Sequence, residues 1–160
     1  MADHEEIERK FLVVGDAWRT DALGVAYRQG YLALDHGVSV RVRAGGGHGF
    51  LTIKGPRRGI TRDEFEYAIP AADASAMIDQ LARGRVVEKT RYRIAIGDVV
   101  WEVDEFDGRN RGLVVAEVEL RSEDQRFEPP SWIGEEVTED PRYLNAQLAL
   151  HPWRNWGRTP

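Results

Sequence analysis

Charged residues recur at every second position in seven separate segments of the chain. These are Glu6-x-Glu8-x-Lys10, Arg41-x-Arg43, Thr52-x-Lys54, Arg62-x-Glu64-x-Glu66, Lys89-x-Arg91-x-Arg93, Glu102-x-Asp104 and Glu117-x-Glu119-x-Arg121. A period of two is the period of a β-strand, so each charged set lies on one strand face. The positions between are mostly apolar, among them Ile7, Val40, Val42, Leu51, Ile53, Phe65, Tyr92, Val103 and Val118. The pattern predicts eight strands, at about 5–14, 26–34, 37–44, 49–55, 60–69, 86–96, 98–106 and 113–121. Turn signals separate them: Gly15-Asp16, Asp35-His36-Gly37, Gly45-Gly46-Gly47, Gly55-Pro56, Gly97-Asp98 and Asp107-Gly108. Gaps this short pair neighbouring strands as antiparallel hairpins.

Helical spacing occurs twice. Met77, Ile78 and Leu81 follow Pro70 and predict a helix over 71–83. Asp140-Pro141, an N-cap with proline at the first helical position, opens a second helix over 140–150 carrying Tyr143, Leu144, Leu148 and Leu150. A short helical piece is expected near 16–20. Residues 122–139 are acidic, contain Pro129-Pro130 and read as loop with brief helical turns. The tail 151–160 either packs back on the surface or hangs loose. No linker or internal repeat is visible, so one domain is expected over 1–160, with its core at about 5–150.

Eight antiparallel strands without a helix after each one predict a mainly β (α+β) fold. The expected form is an eight-stranded antiparallel closed β-barrel, a tunnel with a few helices packed outside. The charged faces hold eight acidic residues (Glu6, Glu8, Glu64, Glu66, Glu102, Asp104, Glu117, Glu119) and nine basic ones (Lys10, Arg41, Arg43, Lys54, Arg62, Lys89, Arg91, Arg93, Arg121). Arg and Glu clustered in this way fit a water-filled lumen, where opposite charges organise one another. An eight-stranded barrel has room for such side chains and one small ligand.

Composition narrows the function. At 160 residues, with 42% hydrophobic and 31% charged, the chain is long and apolar enough for a core. The absence of cysteine excludes disulfides, a thiol nucleophile and cysteine-bound zinc, and fits a cytoplasmic protein. The acidic start (Asp3, Glu5, Glu6) does not read as a signal peptide, and no run of about 18 apolar residues suits a membrane span. A net charge of -5 argues against general nucleic-acid binding, so any anion site is a local concentration of Lys and Arg.

Arginine grips phosphate through a planar donor fork and lysine offers a point charge. Carboxylates in the same lumen repel phosphate unless a divalent cation lies between, and Mg²⁺ or Mn²⁺ takes such oxygen ligands. Metal plus a short polyphosphate points to phosphoryl transfer to water, driven by positioning and electrostatics.

Glu6-Ile7-Glu8-Arg9-Lys10 resembles the N-terminal ExExK signature of the CYTH superfamily, the triphosphate tunnel metalloenzymes. The other motifs follow in that family's order: Arg41-x-Arg43, Lys54, Glu64-x-Glu66, Lys89-x-Arg91-x-Arg93, Asp104 and Glu117-x-Glu119. Arg28-Gln29-Gly30-Tyr31 and the late Gly134-Glu135-Glu136-Val137-Thr138 resemble the short, single-domain bacterial members. The resemblance implies a tunnel that hydrolyses a triphosphate with Mg²⁺ or Mn²⁺, and inorganic triphosphate is a frequent substrate of short members. Thiamine triphosphatases, class IV adenylyl cyclases and RNA triphosphatases share the superfamily, so an organic triphosphate remains an alternative. A non-catalytic polyphosphate-binding module is another, although such a binder needs the bases and not the full carboxylate set.

The resemblance also implies roles. Glu6, Glu8, Glu117 and Glu119 resemble metal ligands. Glu66 and Asp104 are candidates for a second metal or for orienting water, with pairing to Arg43 or Arg93 as the alternative. Glu64 and Glu102 are expected to hold basic side chains in place. Lys10, Arg41, Arg43, Lys54, Lys89, Arg91 and Arg93 resemble the phosphate ligands, and Arg62 and Arg121 are expected to be rim charges. A Lys–Tyr pair, here Lys89 with Tyr31, is a candidate for activating water alongside Lys10, because a nearby ammonium lowers a phenol pKa. A metal-bound water is the competing nucleophile. His4, His36, His48 and His151 fall in loops or termini and are expected to be surface groups. Gly45–Gly47 reads as a hairpin tip, the five tryptophans as shell packing, and 140–150 as a structural lid or plug. Leftover apolar outer face leaves monomer and homodimer both open.

Overall fold

In the computed structural model, which describes residues 3–20 and 22–157, the alternating segments join into a ring. Its strands are β1 (Glu5–Val13), β2 (Val25–Asp35), β3 (Val38–Gly45), β4 (His48–Lys54), β5 (Thr61–Ile69), β6 (Val86–Ile96), β7 (Val99–Phe106) and β8 (Val114–Glu119). They pair in the order β5-β4-β3-β2-β6-β7-β8-β1, and β1 returns to β5 through Glu5↔Asp63, Glu6↔Arg62 and Ile7↔Thr61. Every pairing is antiparallel. Closure leaves no free pair of sheet edges around the ring.

The hairpin chemistry follows the turn residues. His36 (φ 50) with Gly37 (φ 78), and Gly46 (φ 59) with Gly47 (φ 78), are consecutive left-handed pairs in two-residue loops. That is the type I′ geometry whose twist matches the flanking strands. The triple glycine is therefore a hairpin tip.

The charged faces turn inward and the apolar faces outward, so the core lies outside the ring in three patches. Helix α1 (Ala71–Leu81) covers Val42 with Ala74, Ile78 and Ala82. It lies close because Gly30 and Gly49 carry no side chain: a Cβ at either would come within 2.8 Å of Ala82 Cβ or Ala74 Cβ. Helix α2 (Asn145–Leu150) covers a second patch with Leu148 and Ala149. Among the described residues no helix covers the third patch. Trp18, Leu120, Phe127 and Trp132 pack over Phe11, Trp101, Val103 and Val118. Segments read as loop thus supply the third cover through aromatic burial.

Other departures are local. Ile133–Glu136 form a ninth strand, β9, beside the end of β1, where loop was expected. Residues 16–20 make a turn rather than a helical piece. The second helix is broken: Pro141–Tyr143 form a 3₁₀ turn capped by Asp140, Leu144 is extended, and α2 begins at Asn145. The Tyr143 carbonyl accepts a hydrogen bond from Lys10 Nζ (3.1 Å), which takes it out of the helical ladder. The first helix ends at Leu81 instead of 83, and Leu81 is 53% exposed. Part of the tail packs back as a 3₁₀ turn (Trp153–Asn155), while 158–160 lie outside the described residues.

Candidate functional site

The lumen is a cavity of about 600 Å³. It collects Glu6, Glu8 and Lys10 from β1, Tyr31 from β2, Arg41 and Arg43 from β3, and Lys54 from β4. Arg62, Glu64 and Glu66 come from β5, Lys89, Arg91 and Arg93 from β6, Glu102 from β7, and Glu117 and Glu119 from β8. All but one of the site residues expected from the sequence share this one wall. With Asp35 at the mouth, the wall holds eight acids and eight bases. That balance matters, because an anion entering such a lumen brings charge that bases already paired with acids do not offset.

Asp104 is the exception. It is fully buried behind the wall and accepts hydrogen bonds from Lys89 Nζ (2.8 Å) and from Arg91 Nε and Nη2 (2.7 and 2.8 Å). Burial raises its pKa, but Arg91 and Lys89 outweigh burial and hold it below the usual range. Its lone pairs are spent on cations, which corresponds to the pairing alternative, with Arg91 and Lys89 as partners instead of Arg43 or Arg93. Glu66 lies near Arg41 (3.6 Å) and Arg43 (3.9 Å) and accepts from Thr52 Oγ1 (3.0 Å). Glu64 holds Lys54 (3.3 Å), and Glu102 holds Arg91 (3.1 Å) and Arg93 (3.2 Å).

The β1 carboxylates differ from one another. Glu6 accepts from Lys54 Nζ (3.1 Å) and Arg62 Nε (3.2 Å). Burial pushes its pKa up, yet Lys54 and Arg62 bring it down to about 2. Glu117 likewise pairs with Lys10 and Arg91, both at 3.2 Å, and stays well below the usual range against the effect of burial. Glu8 and Glu119 stand opposite each other across β1 and β8, and among the described residues neither forms an ion pair. Burial and the neighbouring Glu117 and Glu6 push Glu8 well above the ordinary range. Burial and Glu6, Glu64 and Glu102 raise Glu119. Two unpaired carboxylates facing one space are relieved by a bound cation.

No group of three or more His, Asp or Glu side chains among the described residues closes round one point as a ready cage. An ion that keeps several waters and takes oxygens from its substrate does not require such a cage. The donor set here, all carboxylate oxygen, suits a hard divalent cation.

Arg62 corrects an expectation. It sits at the start of β5, yet points into the lumen onto Glu6, because β1 pairs only with the first three residues of β5. The stagger that closes the ring turns a strand end into mid-tunnel. Arg121 is a rim charge as expected, largely exposed beside Asp98. Arg93, near the end of β6, lies at the opposite end of the ring from Asp35, with its side chain 68% exposed.

Tyr31 and Lys89 share the cavity but are not hydrogen-bonded to each other among the described residues. The Tyr31 hydroxyl accepts from Gln29 Nε2 (3.1 Å), while Lys89 Nζ donates to Asp104 and to Asn145 Oδ1 (3.1 Å). Burial lowers the Lys89 pKa to about 8, with Asp104 resisting and Arg91 assisting the shift. Asn145 and Gln147 on the wall were not legible beforehand, because a lone amide in a helix carries no signal. Among the histidines, His36 lines the mouth beside Asp35, where its imidazole is 91% exposed.

A closed antiparallel ring with a balanced acid and base lumen defines a charged β-tunnel. The chain belongs to the CYTH domain family, whose profile matches residues 4–149. It is 50% identical over 152 residues to an inorganic triphosphatase of Acetivibrio thermocellus, covering 95% of this chain and 97% of that one. It is 43% identical over 149 residues to an inorganic triphosphatase of Nitrosomonas europaea, covering 91% and 97%. The crystal structure of an inorganic triphosphatase matches with a TM-score of 0.66 at 41% identity, over 91% of this chain and 94% of that one.

Proposed function

We propose that this chain hydrolyses inorganic triphosphate to pyrophosphate and phosphate inside the tunnel, acting as one cytoplasmic domain with Mg²⁺ or Mn²⁺ as its cofactor. The observation that carries the reading is the neutral wall with Glu8 and Glu119 left unpaired: the bases suit a polyphosphate, and the spare carboxylates suit a cation that accompanies it. The identity to two inorganic triphosphatases over nearly the whole chain supports the choice of substrate.

Arg41, Arg43, Lys54, Arg91 and Arg93 grip the phosphates with Lys10 and Lys89. The Nε atoms of Arg41 and Arg43 are buried without a hydrogen-bond partner, as expected of donors waiting for an anion. Glu6, Glu8 and Glu119 would hold the metal ion, which supplies charge neutralisation of the phosphoryl oxygens when bound. Glu117 and Glu66 orient the cations around it, and Asp104 fixes Lys89 and Arg91 from behind. Tyr31 and Lys89 flank the phosphate chain from β2 and β6. The ion pairs of the wall keep the donors in place before substrate arrives, so their stabilisation of charge in the transition state needs little reorganisation.

The test is phosphate release from triphosphate, thiamine triphosphate and ATP, each with Mg²⁺, with Mn²⁺ and with no metal. Triphosphate with metal is expected to be fastest by at least about tenfold. An equal rate on ATP would overturn the substrate, and equal rates without metal would overturn the cofactor. Binding without phosphate release would return the polyphosphate-binding module.

A further inference from the structure

Arg43 is held differently from the other bases of the lumen. Every other Lys and Arg of the wall has a carboxylate oxygen within 3.6 Å. The carboxylate nearest Arg43, Glu66, stands 3.9 Å from Nη2, beyond hydrogen-bond reach, and the Arg43 Nε is buried with no hydrogen-bond partner. Two aromatic rings lie beside it instead. The guanidinium carbon is 4.8 Å from the centre of the Tyr27 ring and 5.4 Å from that of Phe50. At such distances the electron-rich face of a ring attracts a cation.

Strand register brings the three together. Phe50 on β4 is the direct cross-strand partner of Arg43 on β3, and Tyr27 on β2 lies two residues from its other partner, Gln29. Residues two apart share a strand face, so both rings stand on the inner face with the guanidinium. Gly45, opposite Tyr27, makes room: a Cβ there would come within 2.4 Å of Tyr27 Cδ1 and of the Ala26 carbonyl oxygen. The hairpin turn itself takes its left-handed backbone from Gly46 and Gly47, so Gly45 is needed for this close approach and not for the turn. Burial, with Arg41 and Arg91 nearby, pushes the Arg43 pKa down, a cost that the ring faces and a bound anion each reduce.

We propose that Tyr27 and Phe50 are positioning residues, an aromatic clamp that holds the Arg43 guanidinium in place and leaves its N–H donors for the phosphate chain. The inference rests on reading the lumen bases as phosphate ligands. An arginine held by a carboxylate has to share or surrender a hydrogen bond when an anion arrives. One held by ring faces does not, because the attraction acts on the plane of the guanidinium and the donors lie along its edge. Arg43 is then the base of the wall that meets phosphate with the least rearrangement. Tyr27 and Phe50 touch neither phosphate nor metal in this arrangement and act only through Arg43.

The experiment measures kcat and KM for triphosphate with Mg²⁺, and separately, by calorimetry, Kd for a non-hydrolysable methylene-bridged analogue. The variants are Tyr27→Leu, Phe50→Leu, the conservative Tyr27→Phe and Phe50→Tyr, and each leucine change in an Arg43→Ala background. Each leucine variant is expected to raise KM and Kd about three- to tenfold while kcat stays within about twofold. The conservative variants keep an aromatic face and are expected to stay within about twofold of wild type. Without Arg43 a leucine change is expected to add less than about twofold, because the cation that the ring holds is gone. An unchanged Kd in a folded leucine variant overturns the clamp, and so does a loss that is as large without Arg43 as with it. Circular dichroism and the thermal midpoint identify any variant that fails to fold. Phe50 replaced site-specifically by pentafluorophenylalanine then decides, since it keeps the shape of the ring and removes its attractive face: weaker binding supports the clamp, and a wild-type Kd overturns it. Analogue binding that follows this pattern in a protein that releases no phosphate leaves the clamp standing and sinks the hydrolase reading; a wild type that binds no analogue sinks both.

Discussion

Glu8 is the residue whose state depends most on what else occupies the lumen. Its carboxyl is pushed up by burial and by Glu117 and Glu6. A raised carboxyl favours the fold while it is protonated, and that contribution is lost as pH rises through its folded-state value. Above the ordinary carboxyl range of pH the metal-free fold therefore bears a cost from burying Glu8 beside Glu117 and Glu6, which Glu8→Gln removes. The variant is expected to melt higher than wild type without metal, to gain less from Mg²⁺, and to bind Mg²⁺ more than about tenfold more weakly. Thermal melts with and without Mg²⁺ check this; a metal-induced stabilisation that survives unchanged in Glu8→Gln would remove Glu8 from the ligand set. Lys89 gives a second test at this scale. With its pKa near 8, the ammonium is lost as pH rises through that value, and the grip on phosphate weakens. KM for triphosphate is expected to rise above about pH 8 in wild type and to stay flatter in Lys89→Arg, whose charge persists. Lys89→Met is expected to lose about 10²-fold or more in kcat/KM at pH 7.

At the scale of elements, the charged lumen forces the hydrophobic effect to work on the outside of the ring. Helix α1 is the clearest case. Ile78 and Ala82 lie close over Gly30 of β2, and Ala74 over Gly49 of β4, because neither glycine carries a side chain. The glycine of the Arg28-Gln29-Gly30-Tyr31 motif thus serves helix packing, and Arg28 adds an exposed ion pair to Asp79. Ile78→Ala is expected to cost about 2–5 kcal/mol of stability, read by denaturant unfolding. Its KM for triphosphate should change little, since the cavity wall is carried by the opposite strand faces. A large rise in KM with unaltered stability would contradict the division between outer core and inner site. β9 acts differently: its Glu136 pairs with Arg9, and Thr138 just beyond it accepts from the backbone N–H of Lys10 (3.0 Å), so this segment fixes the β1 backbone beside Lys10.

For the molecule as a whole, stability rests on a lumen of opposed charges closed by strand pairing. Glu6 has a folded-state pKa of about 2, below its ordinary 4.5. A lowered carboxylate contributes stability that is present above pH 4.5 and lost as pH falls toward 2. Glu117 acts in the same direction. The protein is therefore expected to unfold on acidification in that window, followed by circular dichroism. Glu6→Gln should lose much of that slope, and an unchanged acid transition in the variant would place the acid lability elsewhere. Buried pairs are weakly screened, so the transition should shift little between low and moderate salt.

How much of this was legible beforehand depends on the range of the interaction. Period-two charge fixed eight strands and their inward faces, because side-chain alternation is a property of the single strand. Turn residues such as Gly46 and Gly47 fixed the hairpins for the same local reason. The charged residues that share the lumen could be named because each lies on the charged face of its own strand. Ring closure is not local. The stagger between β1 and β5 brought Arg62 onto Glu6, and burial behind Arg91 and Lys89 drew Asp104 off the wall. The aromatic cover of Trp18, Phe127 and Trp132, and the α2 segment held by Lys10 and Lys89, join residues far apart in sequence with no period to reveal them. The sequence by itself determined which residues are charged and which way each strand faces. Only the tertiary structure decided which charges neutralise one another and which, like Glu8 and Glu119, are left unpaired, because pairing depends on distances that ring closure alone sets.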